Sequence, residues 1–392
     1  SGTANFGLKW LEDHDIETTT LWLRNTDDET EIFNFTNENR SGNEGFRDTR
    51  LEFEEREMLT NQIRGTHYLG DETRDRIPLL GKLVGWLPTE TSVEWFYSIS
   101  DAETDIPNRV LVANQQTTID PVTGEITDSF VTTQTDAASF RFVDLDDEVE
   151  NYGWKGTLPL EFEGNFVEFI GGYAHSQKVR EFQLFEYGLG VPGSSQATRS
   201  SESLSDVFAD SVISDPTSNA EISRKDARDS YIAATMTDSV FGAVDWTWND
   251  TWRVAAGARW EDYRQVAVPW DPYSFTPTSP QIDLGDVESD EFNESDFAFQ
   301  EDKVYPSFAL TYMGSLWAET FQARLSYSET TVRPDLREIT NSSYTDPVTD
   351  ILTRGNPGVI PSDVEAIDLR FEWYFENSDN FTVTFFQKEI DR

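Results

Sequence analysis

The residues of this chain best placed to do chemistry are charged side chains at every second position of apolar runs. Arg253, Arg259 and Glu261 share one parity of the run 252–268, Arg324 lies in the run 319–331, and Asp368, Arg370 and Glu372 alternate with apolar residues in the run 364–375. Guanidinium and carboxylate groups aligned on one face can ion-pair with a polar solute and hydrogen-bond to it. A second set, Trp270, Tyr273 and Phe275, sits in an acidic, Pro-rich stretch. Its rings could stack on a sugar or a chelate, or pack within their own loop.

Catalytic chemistry finds no footing. There is no G-x-S-x-G, no P-loop and no G-x-G-x-x-G opening a helix; Gly188-Leu189-Gly190 runs into Val191-Pro192-Gly193, a loop. With no cysteine in 392 residues, thiol nucleophiles, disulfides and Cys-based metal sites are excluded. His14, His67 and His175 lack metal-ligand spacing and read as ordinary strand or loop residues. Acidic clusters such as Asp144/Asp146/Asp147 and Asp290/Glu291 are expected among 73 acids and read as solvated. Stretches 144–150 and 286–290 supply oxygens without EF-hand spacing, so no metal and no cofactor is assigned.

A net charge of −43 repels nucleic acid, which rules out a DNA or RNA partner. Disorder is opposed by 13% aromatic content, with 27 Phe, 13 Tyr and 12 Trp. No run of 18 apolar residues exists, so no transmembrane helix is expected. That leaves strands, because a barrel strand needs only ~9–11 alternating residues and leaves a weak hydropathy signal.

The elements that must carry the charged residues are about twelve strands: 5–11, 15–25, 48–69, 93–100, 139–161, 166–187, 230–246, 252–268, 305–313, 319–331, 364–375 and 381–390. Phe321, Ala323, Leu325 and Tyr327 take one parity against Gln322, Arg324, Ser326 and Ser328; Ile367, Leu369, Phe371 and Trp373 repeat the apolar parity against Asp368, Arg370 and Glu372. A period of two gives an aromatic-rich apolar face suited to lipid and a charged face suited to a wet or plugged lumen. Trp252 and Trp260 are eight positions apart on the apolar parity. That spans ~19 Å along the membrane normal at ~3.3 Å per residue and ~45° tilt, enough to place an indole near each edge of a ~25 Å apolar band. Connections alternate between tight and long, which puts every long loop at one end, as in outer-membrane barrels. The connection after the third strand breaks the rule: residues 78–87 read as an insertion.

Several segments together carry a family resemblance. Residues 231–263, YIAATMTDSVFGAVDWTWNDTWRVAAGARWEDY, resemble the hairpin in which TonB-dependent outer-membrane receptors carry a G-x-R-Y-E pattern, matched here by Gly257, Arg259, Trp260 (for Tyr) and Glu261. YPSFALTY from Tyr305, RLSYSETTVRPDLREI with Arg333-Pro334, Gly355-Asn356-Pro357, DLRFEWYF and FFQKEID follow in the order that family shows. The resemblance is strongest over 230–392.

What it implies is a transmembrane antiparallel β-barrel of about 22 strands closed around a plug, in the outer membrane of a Gram-negative bacterium. The implied activity is uptake of a scarce solute (siderophore, haem, cobalamin or carbohydrate) from the surface into the periplasm, without enzymatic chemistry. The implied partners are outer-membrane lipid, lipopolysaccharide, and TonB acting through the plug. Residues 1–392 are expected to be part of one barrel domain, with the N-terminal plug and final strands outside them. Arg253, Arg259, Glu261, Arg324, Asp368, Arg370 and Glu372 should then face the plug or the solute path. The alternative from the residues alone is a secreted or surface β-protein that only binds carbohydrate or another surface.

Overall fold

A computed structural model describes residues 1–392 other than 37–43, 78–81, 83, 121, 201–202, 226–228, 270–272, 274–297, 341, 346–351, 357, 377 and 392. Its strands are β1 (Gly2–Trp10), β2 (His14–Thr36), β3 (Glu44–Tyr68), β4 (Ser92–Ile119), β5 (Ile126–Phe130), β6 (Ala138–Phe162), β7 (Asn165–Gly190), β8 (Glu221–Arg224), β9 (Tyr231–Trp248), β10 (Trp252–Pro269), β11 (Ala298–Gly314), β12 (Thr320–Val332), β13 (Ser343–Thr345), β14 (Leu352–Arg354), β15 (Ser362–Tyr374) and β16 (Asn380–Asp391). Twelve long strands pair antiparallel in the order β1-β2-β3-β4-β6-β7-β9-β10-β11-β12-β15-β16, with β1 and β16 as edges; β5 and β8 are short additions on β4 and β7.

Register fixes the two faces, because residues directly opposite each other share a side. Trp252, Val254, Ala256, Ala258 and Trp260 lie opposite Tyr312, Leu310, Phe308, Pro306 and Val304, and those continue through Leu325 and Leu369. This outward face carries exposed aromatic and aliphatic groups from end to end, among them Phe6, Trp10, Trp154, Phe169, Trp246, Trp260, Phe308, Leu325 and Phe385. An apolar face of that size, left uncovered, is what a lipid-facing wall presents.

At the tight end, the β9–β10 hairpin turns through Asn249 (φ 49°) and Asp250 (φ 52°), two residue types that tolerate the left-handed region. The β6–β7 turn uses Gly164 (φ 71°), whose carbonyl accepts the Asn249 amide at 2.7 Å.

Several strands outrun the expected boundaries. β2 continues to Thr36 and β4 to Ile119, where a polar loop and a long polar stretch were expected. The apolar alternation ends where the outward face leaves lipid: in β10 the parity passes from Trp260 to Asp262 and Arg264, which pair with each other. Backbone pairing goes on without it. β4 has 28 residues, against the ~9–11 a tilted strand needs to cross a bilayer. Beyond the apolar band the outward rows turn acidic, as in Glu57–Glu103–Asp146–Glu181 across β3, β4, β6 and β7. Asp144 and Asp146 therefore stand on a strand, where Glu103, Asp144 and Asp146 bring carboxylate oxygens within 4.8 Å of one another.

Leu369→Arg should make insertion less favourable by ~2–4 kcal/mol near the bilayer midplane, whereas Ser326→Arg on the other face should insert normally. The folded fraction after refolding into lipid vesicles measures both, and equal yields would contradict the assignment of faces.

Candidate functional site

The inner face is concave. Lys9 on β1, Glu17 on β2, Arg64 on β3, Glu94 on β4, Lys155 on β6 and Arg259 on β10 line one cavity of about 850 Å³. Charges there are matched: Lys9–Asp15 (3.6 Å), Arg64–Glu17 (2.8 Å from Nε) and Lys155–Glu94 (2.9 Å). A chain of strongly acidic composition thus keeps a balanced interior.

All seven charged residues singled out above lie on this face by register. Arg253 binds Asp245 of β9 through Nε at 2.9 Å and Nη2 at 2.5 Å. Arg259 donates to Glu261 at 2.5 Å, and its guanidinium lies 6.0 Å from the Phe241 ring centre. Arg370 donates to Glu372 at 2.7 Å, and the Tyr374 hydroxyl donates to the same oxygen at 3.0 Å. Asp368 sits opposite Ser326. One transverse row reads Arg253–Thr311–Arg324–Arg370–Thr384 from β10 to β16. Direct opposition of Arg324 and Arg370 is unfavourable in itself, and Arg370 turns to Glu372. The rung lies in the tight-turn half of the wall.

The other end of the wall is occupied by the chain itself. After β12, Arg333 reaches back to β10 and β9: its Nη2 pairs with Glu261, its Nη1 donates to the Thr237 hydroxyl at 3.2 Å, and its guanidinium lies 4.3 Å over the Tyr263 ring. Asp335 lies 3.7 Å from Arg180 and 4.0 Å from Lys178, and Arg180 forks onto Asp147 at 2.6 and 2.5 Å. Leu336 and Ile339 pack with Tyr231, Ala233 and Ala267 in a buried cluster on the inner side of β9 and β10. Gln265 holds the returning chain at the Val359 carbonyl, 3.1 Å. The segment from Arg333 to Thr340 is therefore folded into the mouth.

Sequence reasoning missed Arg333, Asp335, Arg180 and Lys178 as a fastening. One signal was present: Glu261 and Arg333 both belong to segments that carry the family resemblance, and they meet in space.

Tyr273 is the described member of the aromatic set; Trp270 and Phe275 lie outside the described residues. Its ring meets Phe185 and Tyr187 edge-on at 5.3 and 5.6 Å with the Arg224 guanidinium 4.3 Å above, and its hydroxyl exchanges hydrogen bonds with the Glu186 backbone. It packs against strands β7 and β8 rather than within its own loop, and burial pushes its phenol up. The neighbouring loops share a core of Val112, Val131, Ala137, Ala138, Val191 and Val207. There, hydrogen bonding to Lys225 holds the Asp136 carboxyl below the usual carboxylate range.

A membrane-type antiparallel β-barrel wall, apolar outside and charged inside, with a loop folded into its mouth, defines the class. The β-barrel domain model of TonB-dependent receptors matches residues 11–392, and the chain belongs to that family. No curated protein matches the sequence. Solved structures similar to it include the siderophore receptor PiuA of Acinetobacter baumannii (10% identity, 98% of this chain and 54% of that one, TM-score 0.40). Others are the ferric yersiniabactin uptake receptor FyuA of Yersinia pestis (10%, 99% and 52%, 0.36) and the Serratia marcescens hemophore receptor HasR in complex with HasA and heme (11%, 99% and 54%, 0.30). The chain spans about half the length of each.

Removing the carboxylate in Glu261→Ala should leave Arg333 unpaired on the wall and weaken docking of the loop by roughly 1–3 kcal/mol. Amide hydrogen exchange across 333–340 should then speed up roughly 5- to 150-fold. Unchanged exchange there would show that the Glu261–Arg333 pair does not hold the loop.

Proposed function

We propose that the protein is an outer-membrane receptor that takes up a scarce solute and delivers it to the periplasm, drawing on TonB. In this reading the 392 residues supply part of the barrel domain. The plug on which TonB acts, and the strands that complete the wall, lie outside them. Membrane lipid and lipopolysaccharide cover the apolar face, and the wall does no bond chemistry.

The observation that carries the reading is the inner rung of Arg253, Arg324 and Arg370 in a chain whose net charge is −43. Arg253 and Arg370 hold Asp245 and Glu372 on this wall, and a solute's anionic oxygens would exchange with those carboxylates, because each contact is screened by water. Among the solutes the family resemblance brings forward, ferric siderophores and haem carry such oxygens; a neutral carbohydrate does not.

Whole cells with and without the gene, offered labelled ferric siderophores, haem, cobalamin and an oligosaccharide, test this. Expected is uptake of an anionic chelate that stops when the proton-motive force is collapsed. Energy-dependent uptake of the oligosaccharide alone would remove the preference for anions. No uptake of any of the four that depends on the gene would sink the transport reading and favour a surface protein that only binds. Arg324→Glu with Arg370→Glu should lower uptake by roughly tenfold, equivalent to ~1.4 kcal/mol, with surface amounts unchanged. Wild-type uptake by that double variant would take the rung out of the path.

A further inference from the structure

The segment from Arg333 to Thr340 is held more firmly at its flanks than at its centre. Arg333 grips Glu261 and the Thr237 hydroxyl, and Leu336 and Ile339 are buried against Tyr231, Ala233 and Ala267. Between them, Asp335 meets the wall only at ion-pair distance. Its carboxylate lies 3.7 Å from Arg180 Nη1 and 4.0 Å from Lys178 Nζ, both longer than a hydrogen bond. The side chain stays 58% exposed. The segment takes its shape from the backbone instead. The Asp335 amide donates to the Glu338 carboxylate and the Glu338 amide donates to the Asp335 carbonyl, each at 2.9 Å. The Asn356 amide donates to the Glu338 carbonyl at 2.7 Å, so the returning chain braces the same bend.

The wall beneath offers an anion more than Asp335 takes up. Arg180 is a buried guanidinium, its side chain 9% exposed, and it forks onto Asp147 through Nε and Nη2. That leaves Nη1 as the end turned toward a second oxygen. Lys178 stands two positions back on the same face of β7, with Asp147 3.8 Å from its ammonium, again beyond hydrogen-bonding reach. Tyr231 of β9 lies buried beside Arg180 and Arg337. Guanidinium groups only donate, and among the described residues no acceptor takes the proton of the Tyr231 hydroxyl. Arg333 Nε is likewise buried without a partner. Buried donors left without acceptors oppose the seated arrangement. Ion pairing and apolar burial hold the segment down; uncompensated desolvation pushes it up.

We propose that Lys178, Arg180 and Tyr231 form an anion subsite at the mouth, and that Asp335 is its built-in competitor. The carboxylate of the segment stands where a carboxylate or similar oxyanion of the incoming solute binds. This rests on the receptor reading above and adds a regulation of the same path. A solute with two or more such groups brings oxygens into hydrogen-bonding distance of Lys178 Nζ and Arg180 Nη1, displaces Asp335 and loosens the segment from the wall. Once the segment lifts, the Tyr231 hydroxyl gains an acceptor as well. A neutral solute has nothing to exchange for Asp335 and leaves the mouth closed. The subsite lies at the opposite end of the wall from the rung of Arg253, Arg324 and Arg370, so a solute arriving from the surface meets it first.

Thr340→Cys, at a buried position closing the segment, reports lifting through its rate of reaction with a neutral, water-soluble maleimide. The whole protein is used, reconstituted in lipid vesicles. Ala233→Cys, on the wall beneath the segment, takes its place if that variant does not assemble. Citrate is the probe anion, and sodium chloride at matched ionic strength is the control for screening. Adding Asp335→Asn should speed the reaction roughly tenfold. Citrate should speed it when Asp335 is present, chloride should do so much less, and Lys178→Met should lose the response to citrate. A rate unchanged by Asp335→Asn, or equal acceleration by citrate and chloride, would overturn the competitor. Uptake of a labelled anionic chelate by whole cells, measured in parallel, separates this from the receptor reading. Gene-dependent uptake with a segment indifferent to Asp335→Asn and citrate would remove the competitor and keep the receptor. A segment that responds to both, in cells that take up nothing, would keep the competitor and remove transport.

Discussion

Backbone N–H and C=O groups in hydrocarbon must find partners within the chain, since each unpaired group costs several kcal/mol there. For strands the remedy is lateral pairing, and the twelve-strand antiparallel ladder supplies it on both sides of every long strand from β2 to β15, with β1 and β16 paired on one side as its edges. Everything else follows from that ladder. Pairing sets register, register sets which side chains share a face, and the two-residue period then separates Trp252, Val254 and Trp260 from Arg253, Arg259 and Glu261 without any further instruction.

Charge is partitioned by the same geometry. Inside, cations and acids are matched pairwise, as in Arg253–Asp245 and Lys155–Glu94. Such solvent-exposed pairs contribute little to stability; their consequence is a wall polar enough to be wet yet nearly neutral along its length. Outside and beyond the lipid band, rows such as Glu57–Glu103–Asp146–Glu181 put like charges side by side, an arrangement tolerable only where water and counter-ions screen it. At the mouth, Arg333 and Asp335 use the same ion-pair chemistry to hold a loop against Glu261 and Arg180, with Leu336 and Ile339 supplying the apolar part of the contact.

The sequence was most legible where lipid dictates residue type. The long strands could be read where the outward residues in the band are apolar, as at Trp252, Val254 and Trp260 of β10 and Phe321, Ala323 and Leu325 of β12. Legibility ended at the band's edge. In β4 the outward parity runs Trp95, Tyr97, Ile99 and then Asp101, Glu103, Asp105, so the strand looked finished near Ser100 although its pairing continues to Ile119. Nothing polar in that stretch distinguishes a strand in water from a loop. The charged inner residues were readable for the same reason as the strands, since parity alone assigns them. Their partners were not: Glu261 and Arg333 are separated by 72 positions, and His14 and His67 by 53. Only the pairing order brings such residues together, and period-two alternation carries no information about which strands lie side by side.

The assignment of the two faces is tested most directly on β10 in its membrane. Single cysteines at 252, 253, 254, 255, 256, 258, 259 and 260 would be exposed to a charged, water-soluble thiol reagent; position 257 is left out because a Cβ on Gly257 would come within 2.8 Å of Ala243. Reactivity should alternate, with 253, 255 and 259 labelled and 252, 254, 256, 258 and 260 protected by lipid. Uniform reactivity along the strand, or the opposite alternation, would contradict the barrel wall on which the fold and the solute path both depend.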